Sequence, residues 1–253
     1  VLETLSWAAA VLLPTVVSAE DKGLSPEVTD RIYIDFKAPT DAETRRIVIG
    51  LYGKAAPRST RMLKDLVSSG GLAAKCRPRE TRSLQKEQLE ANKVYNSCIE
   101  SEDNGVTYEY GQIWRIIKDQ RIDVGSVQGK FVAREFPTWG DDNGLPQEYG
   151  TVSVQRGNES GFGFTIQPSK NIESLKLLGD NVVIGKVVEG MDVIDQLNDY
   201  PVVKSSKLNY MALAGTNGLR AAPSRACRYG GTELYCNEFK PLKKLTIQST
   251  GEL

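Results

Sequence analysis

An antiparallel β-barrel closed at its ends by helices is the fold the sequence predicts, and three observations predict it. Short runs of alternating or β-branched apolar residues recur along the chain, two stretches carry an apolar stripe at helical spacing, and no βαβ alternation is present. A chain of 253 residues is long enough to bury a core for such a barrel together with insertions.

The elements follow in order. Residues 1–27 read as an apolar arm and linker. "LSWAAAVLLPTVVSA" is an uncharged apolar run ending in Val17-Ser18-Ala19, a triplet suited to signal peptidase. As a helix, Val1 to Ala19 extends about 28 Å, close to the thickness of a bilayer's hydrocarbon. The expectation is therefore an export signal, a membrane anchor, or an arm packed on another protein.

A domain over 28–253 follows. Ile32, Ile34 and Phe36 alternate with Tyr33 and Asp35, and a turn-rich "APTDAET" leads into "RRIVIGLYG", the pattern of a hairpin. Pro57 stands where an N1 proline starts a helix, and Met62, Leu63, Leu66 and Val67 form its apolar stripe before Ser68-Ser69-Gly70-Gly71. Residues 71–105 read as an insertion, whose charged, helix-favouring part at 79–99 predicts a solvated helix. Strand-like runs recur in "QIWRII", "TVSVQR", "FGFTI", "VVIGKVV" and "KKLTIQ". Met191, Val193, Ile194 and Leu197 mark the second capping helix, and residues 209–240, rich in Gly and Pro, read as a long excursion before the closing strand.

Charge excludes several function classes. Thirty-two basic residues balance thirty-two acidic ones, and no Lys/Arg tract tracks phosphates, so no nucleic-acid partner is expected. Histidine is absent, which removes His-based triads and the commonest zinc ligand sets. No metal or other cofactor is expected. Cys76, Cys98, Cys227 and Cys236 form two local pairs without CxxC spacing. Bridges between Cys76 and Cys98 and between Cys227 and Cys236 are the natural reading. Four cysteines allow three connectivities, and free buried thiols are the alternative.

"VTDRIYIDF" with "RRIVIGLYGKAAPRSTRMLKDL", "IWRII", "NVVIGKVVEGMDVIDQL" and "KKLTIQSTGEL" occur in an order that resembles the cyclophilin family of peptidyl-prolyl isomerases, over about Val28 to Leu253. The resemblance implies an eight-stranded antiparallel barrel capped by two α-helices, mainly β, with helical and loop insertions added. The form "VTDRIYIDF…IVIGLYG" is most similar to cyclophilins of the thylakoid lumen. That similarity implies a chloroplast location, another exported and oxidising compartment being the alternative.

Isomerising an X-Pro bond means crossing a barrier of about 18–20 kcal/mol, because the amide lone pair is delocalised. A site that lowers it grips the ring in an apolar pocket and sets a fixed cationic donor near the nitrogen. Arginine suits the donor role, being always charged and rigidly forked. In "IWRII", Arg115 matches the family's catalytic arginine. Around it the pattern departs from the family. "KDQRIDVGS" replaces an apolar stretch, Gln155 and Arg156 stand in a shortened loop, Gly163 and Thr165 replace a glutamine and a pocket phenylalanine, and Asn181 replaces a histidine. Phe162, Phe164, Leu177 and Asn181 are the candidates for lining what remains of a proline pocket. Arg115 reads as the remnant of a site, paired with Asp119 or Asp123.

Filling an apolar pocket with a ring contributes about 1.5–3 kcal/mol, and a charged groove loses it. The sequence therefore predicts a cyclophilin-like binding subunit of a membrane complex, such as a photosystem, contacting the membrane or a protein through residues 1–19. The alternative is a working isomerase that acts on proline-containing peptides through Arg115.

Overall fold

A computed structural model describes residues 26–39, 41–78, 85–101, 105–126, 133–157, 161–171, 181–203 and 239–253. The strands are β1 (Asp30–Lys37), β2 (Arg45–Leu51), β3 (Gln112–Ile117), β4 (Arg121–Ser126), β5 (Thr151–Gln155), β6 (Phe164–Ile166), β7 (Asn181–Glu189) and β8 (Leu245–Glu252). They close into one antiparallel barrel in the order β1-β2-β7-β5-β6-β4-β3-β8, and β8 pairs back onto β1. Every strand thus has a partner on both sides, so no edge is left to pair with another chain.

The period of two drives this closure. Ile32, Ile34 and Phe36 of β1, Ile47 and Ile49 of β2, Val152 and Val154 of β5, Phe164 and Ile166 of β6 and Ile247 of β8 all join one buried core. Two helices seal the ends. Helix α1 (Pro57–Val67) buries Leu63, Leu66 and Val67, and helix α3 (Met191–Asn198) buries Val193, Ile194 and Leu197. Between them in sequence, helix α2 (Gln85–Glu100) falls within the expected insertion and buries Ala91 and Cys98.

Helix α1 begins at Pro57 after Ala56, which has no side-chain oxygen to cap the exposed amides. Asp141, distant in sequence, supplies one: its carboxylate accepts the Ser59 N–H at 2.6 Å. A negative charge at this helix end also complements the helix dipole.

Outward-facing polar residues brace the barrel wall. Asp35 is buried between strands, receives both Nε (2.7 Å) and Nη2 (2.8 Å) of Arg46, and accepts the Ser249 hydroxyl at 2.6 Å. This joins β2, β1 and β8 at the barrel's closing seam. The hydrogen bond from Arg46 holds the Asp35 carboxyl below its usual range, against the opposing effect of burial.

The described cysteines form one disulfide, Cys76–Cys98, with Cα atoms 5.9 Å apart. Cys227 and Cys236 lie outside the described residues, as do Leu177, residues 1–25 of the arm and most of the 209–240 excursion. Among the described residues no helix is long and apolar enough to cross a membrane.

Two outcomes follow from these contacts. Asp141→Ala should lower the free energy of unfolding by about 1–2 kcal/mol in a urea titration, the ordinary cost of losing a helix cap. Asp35 has a folded-state pKa below its unfolded value of about 3.9, so its contribution is present above about pH 4 and is lost as pH falls through the folded value. Denaturation midpoints measured from pH 6 down to pH 2 should therefore fall less steeply for Asp35→Asn than for the parent chain, with the variant less stable at pH 6.

Candidate functional site

Strand β3 carries Arg115 outward because its ladder is irregular. Ile113 pairs with Val124 and Arg115 with Asp123, so Trp114 is the additional residue of a bulge. Ile113 and Ile116 both enter the core, leaving Trp114 and Arg115 adjacent on the outer face. The guanidinium carbon of Arg115 lies 4.5 Å from the centre of the Trp114 ring. The neighbouring strand is bent at Gly125 (φ 88°), where a Cβ would stand 2.6 Å from the Tyr108 ring.

Register continues this outer row across the barrel. Arg115 of β3 faces Asp123 of β4, Asp123 faces Thr165 of β6, and Thr165 faces Ser153 of β5. Arg115 Nε donates to Asp123 Oδ2 at 2.6 Å, and the Thr165 hydroxyl donates to Asp123 Oδ1 at 2.8 Å. Arg121, two residues before Asp123 on the same face of β4, donates to Oδ1 through Nε at 2.8 Å. At the far end Asn181 of β7 donates through Nδ2 to the Ser153 hydroxyl at 3.2 Å. The result is one polar rung, Arg115–Asp123–Thr165–Ser153–Asn181, laid across five strands.

Burial makes the centre of that rung consequential. The Asp123 side chain is 3% exposed, that of Arg115 12% and that of Arg121 26%. A carboxylate so far from water is tolerable only with its charge matched and its lone pairs bonded, and two guanidiniums and a hydroxyl do both.

The sequence-derived candidates are distributed as follows. Arg115 and Asn181 lie at opposite ends of the rung. Of the two carboxylates weighed as partners for Arg115, Asp123 is the one in contact. Asp119 instead sits in the β3–β4 turn, where it accepts the Asn198 side chain at 2.8 Å and ties that turn to α3. Phe164 occupies the opposite face of β6 from Thr165; its ring packs edge-on against Tyr108, with centroids 5.7 Å apart. Phe162 is likewise buried, edge-on to Phe136, and its carbonyl accepts the Tyr108 hydroxyl. Both phenylalanines belong to the buried core cluster, and Phe164, alternating with Thr165 along β6, turns away from the face that carries Arg115. Burial pushes the Tyr108 phenol far up, so it remains a donor. Gln155 and Arg156 are exposed, and Arg156 pairs with Asp142 at 2.8 Å.

Ser153 went unnoticed in the sequence, although its place between Val152 and Val154 marks it as outward-facing. An open hollow of about 370 Å³ lies elsewhere, lined by Glu148, Tyr149, Lys170, Lys186, Val187 and Met191. There Tyr149 donates to Asp195 at 2.7 Å, and this bond pushes its phenol up to about 12. Among the described residues no group of acidic, cysteine or histidine side chains is placed to hold a metal ion.

A family model described as "Cyclophilin type peptidyl-prolyl cis-trans isomerase/CLD" matches residues 34–213. The chain belongs to the cyclophilin family. Its closed eight-stranded antiparallel barrel is the fold that membership implies, and Arg115 stands on the outer face of that cyclophilin barrel.

Cutting the rung at its centre should be costly. Asp123→Ala leaves two guanidiniums against a partly buried surface and should destabilise the domain by about 3–5 kcal/mol. Arg121→Ala, at the wetter rim, should cost about 1 kcal/mol or less. Equilibrium urea denaturation of both variants tests the order.

Proposed function

We propose that this cyclophilin domain works by binding rather than by isomerisation, as a subunit held on the lumenal face of the thylakoid membrane by a photosynthetic protein complex. The observation that carries this reading is the Asp123 carboxylate bonded to Arg115 at 2.6 Å. A catalytic guanidinium must turn its donors and its field toward an imide nitrogen at the moment the lone pair localises. Here a buried counter-charge engages Nε and offsets much of that field.

The surroundings agree with this reading. Proline recognition draws on an apolar wall, whereas the outward positions that register sets beside Arg115 on the neighbouring strands are Asp123, Thr165 and Ser153, and the adjacent Trp114 ring is itself stacked by the Arg115 guanidinium. Phe164, one residue from Thr165, is committed to the core. Attachment falls to other surfaces: the apolar run in residues 1–19 and the insertions at 71–105 and 209–240. The Cys76–Cys98 disulfide is compatible with an oxidising compartment.

The competing reading is a working isomerase with Arg115 as its electrostatic centre, favoured by the outward placement of Arg115 on the β3 bulge. Exchange spectroscopy on an X-Pro peptide decides between them. The expected result is no acceleration of cis–trans exchange by the purified chain, and migration of the native protein with a large membrane assembly. An acceleration lost in Arg115→Ala overturns the binding reading.

A further inference from the structure

Among the described residues the insertion meets the barrel core through Leu72 and Ala74, and α2 itself is tied down near Cys98. Of its sixteen residues only Ala91 and Cys98 are buried, and no residue of α2 belongs to the barrel's core cluster. Three segments converge at its C-terminal end. Arg77 N–H donates to the Ala133 carbonyl and Glu135 N–H to the Lys75 carbonyl, both at 2.9 Å. Arg134 then forks, one nitrogen reaching the Ala74 carbonyl (2.7 Å) and the other the Ser101 carbonyl just past α2 (3.0 Å). Cys76, on the first segment, closes the knot by its disulfide to Cys98.

The two sulfurs differ in surroundings. Cys76 is half-buried, whereas Cys98 is 8% exposed and its Sγ lies 3.2 Å from the Ala133 carbonyl oxygen. A disulfide sulfur has no proton to offer that oxygen. A thiol does, so the reduced form of Cys98 finds an acceptor already in place.

We propose that Cys76–Cys98 is a reducible clasp, a modification site for a dithiol reductant, whose state decides whether α2 stays docked. A thiolate of the reductant attacks the more accessible Cys76 sulfur, and Cys98 leaves as a thiolate that takes up a proton and donates to Ala133 O. The reductant's second thiolate then attacks the mixed disulfide and releases Cys76, which is protonated in turn. Two electrons and two protons pass to the protein, and the dithiol becomes a disulfide. Once opened, α2 keeps only the burial of Ala91, the weak Cys98 thiol bond to the Ala133 carbonyl and, just past its end, the Arg134 bond to the Ser101 carbonyl, while the barrel core loses nothing. The inference holds whether or not Arg115 is catalytic.

Amide hydrogen exchange on the whole chain, with and without dithiothreitol, tests it. Residues 85–100 should exchange at least about ten-fold faster after reduction while β1–β8 amides keep their protection, as a locally released unit does. Reoxidation should restore the original rates. Alkylation mapped by mass spectrometry assigns the change to Cys76 and Cys98 rather than to Cys227 and Cys236, and Cys98→Ser should reproduce the fast exchange without reductant. Three results overturn the proposal: a Cys76–Cys98 bond that dithiothreitol leaves intact in the native chain, unchanged exchange over 85–100, or barrel protection lost together with that of α2.

Discussion

Pairing of β1 with β8 closes the barrel, and that closure makes every outward position a site of constraint. In a closed sheet each strand is hydrogen-bonded on both sides, so a side chain that leaves the core can only stand on the outer wall beside the residues register assigns to it. The Asp35–Arg46–Ser249 brace sits across this seam, tying the first two strands to the last. Two helices seal the ends, one of them capped by an aspartate borrowed from a distant loop.

The polar rung is the same constraint acting at the other side of the wall. Because Arg115, Asp123, Thr165 and Ser153 occupy facing positions on successive strands, changing one alters the electrostatic setting of the next. Across β4, β6 and β5 this wall presents hydroxyls and a carboxylate balanced by guanidiniums on both flanks. The guanidinium is held in place by the carboxylate it faces. A buried ion pair of this kind adds little net stability relative to apolar packing, so its value lies in fixing geometry.

Away from that wall the domain is elaborated rather than rebuilt. Helix α2 rides outside the core; a disulfide ties it to the Cys76 segment of its own insertion, and the forked Arg134 links that insertion to the 133–135 loop. Additions of this type enlarge the surface without disturbing the barrel, since lengthening an exterior loop costs little closure entropy.

Much of the fold was legible in the sequence. Alternation marked β1, β2, β3, β5, β6, β7 and β8, and helical spacing with Pro57 marked α1, because burial on one face leaves a period any single chain displays. Strand β4 was not picked out, since Arg121 and Asp123 interrupt an apolar run of only Ile122 and Val124. Its place is set by its register with β3 and β6. The polar residues of β4 and β6 near Arg115 were also readable, being a matter of residue type. Which carboxylate meets Arg115, which way Phe162 and Phe164 turn, and which distant residue caps α1 were decided only by the tertiary structure. Each depends on how separate strands and loops are set against one another, and that information exists only once the barrel has closed.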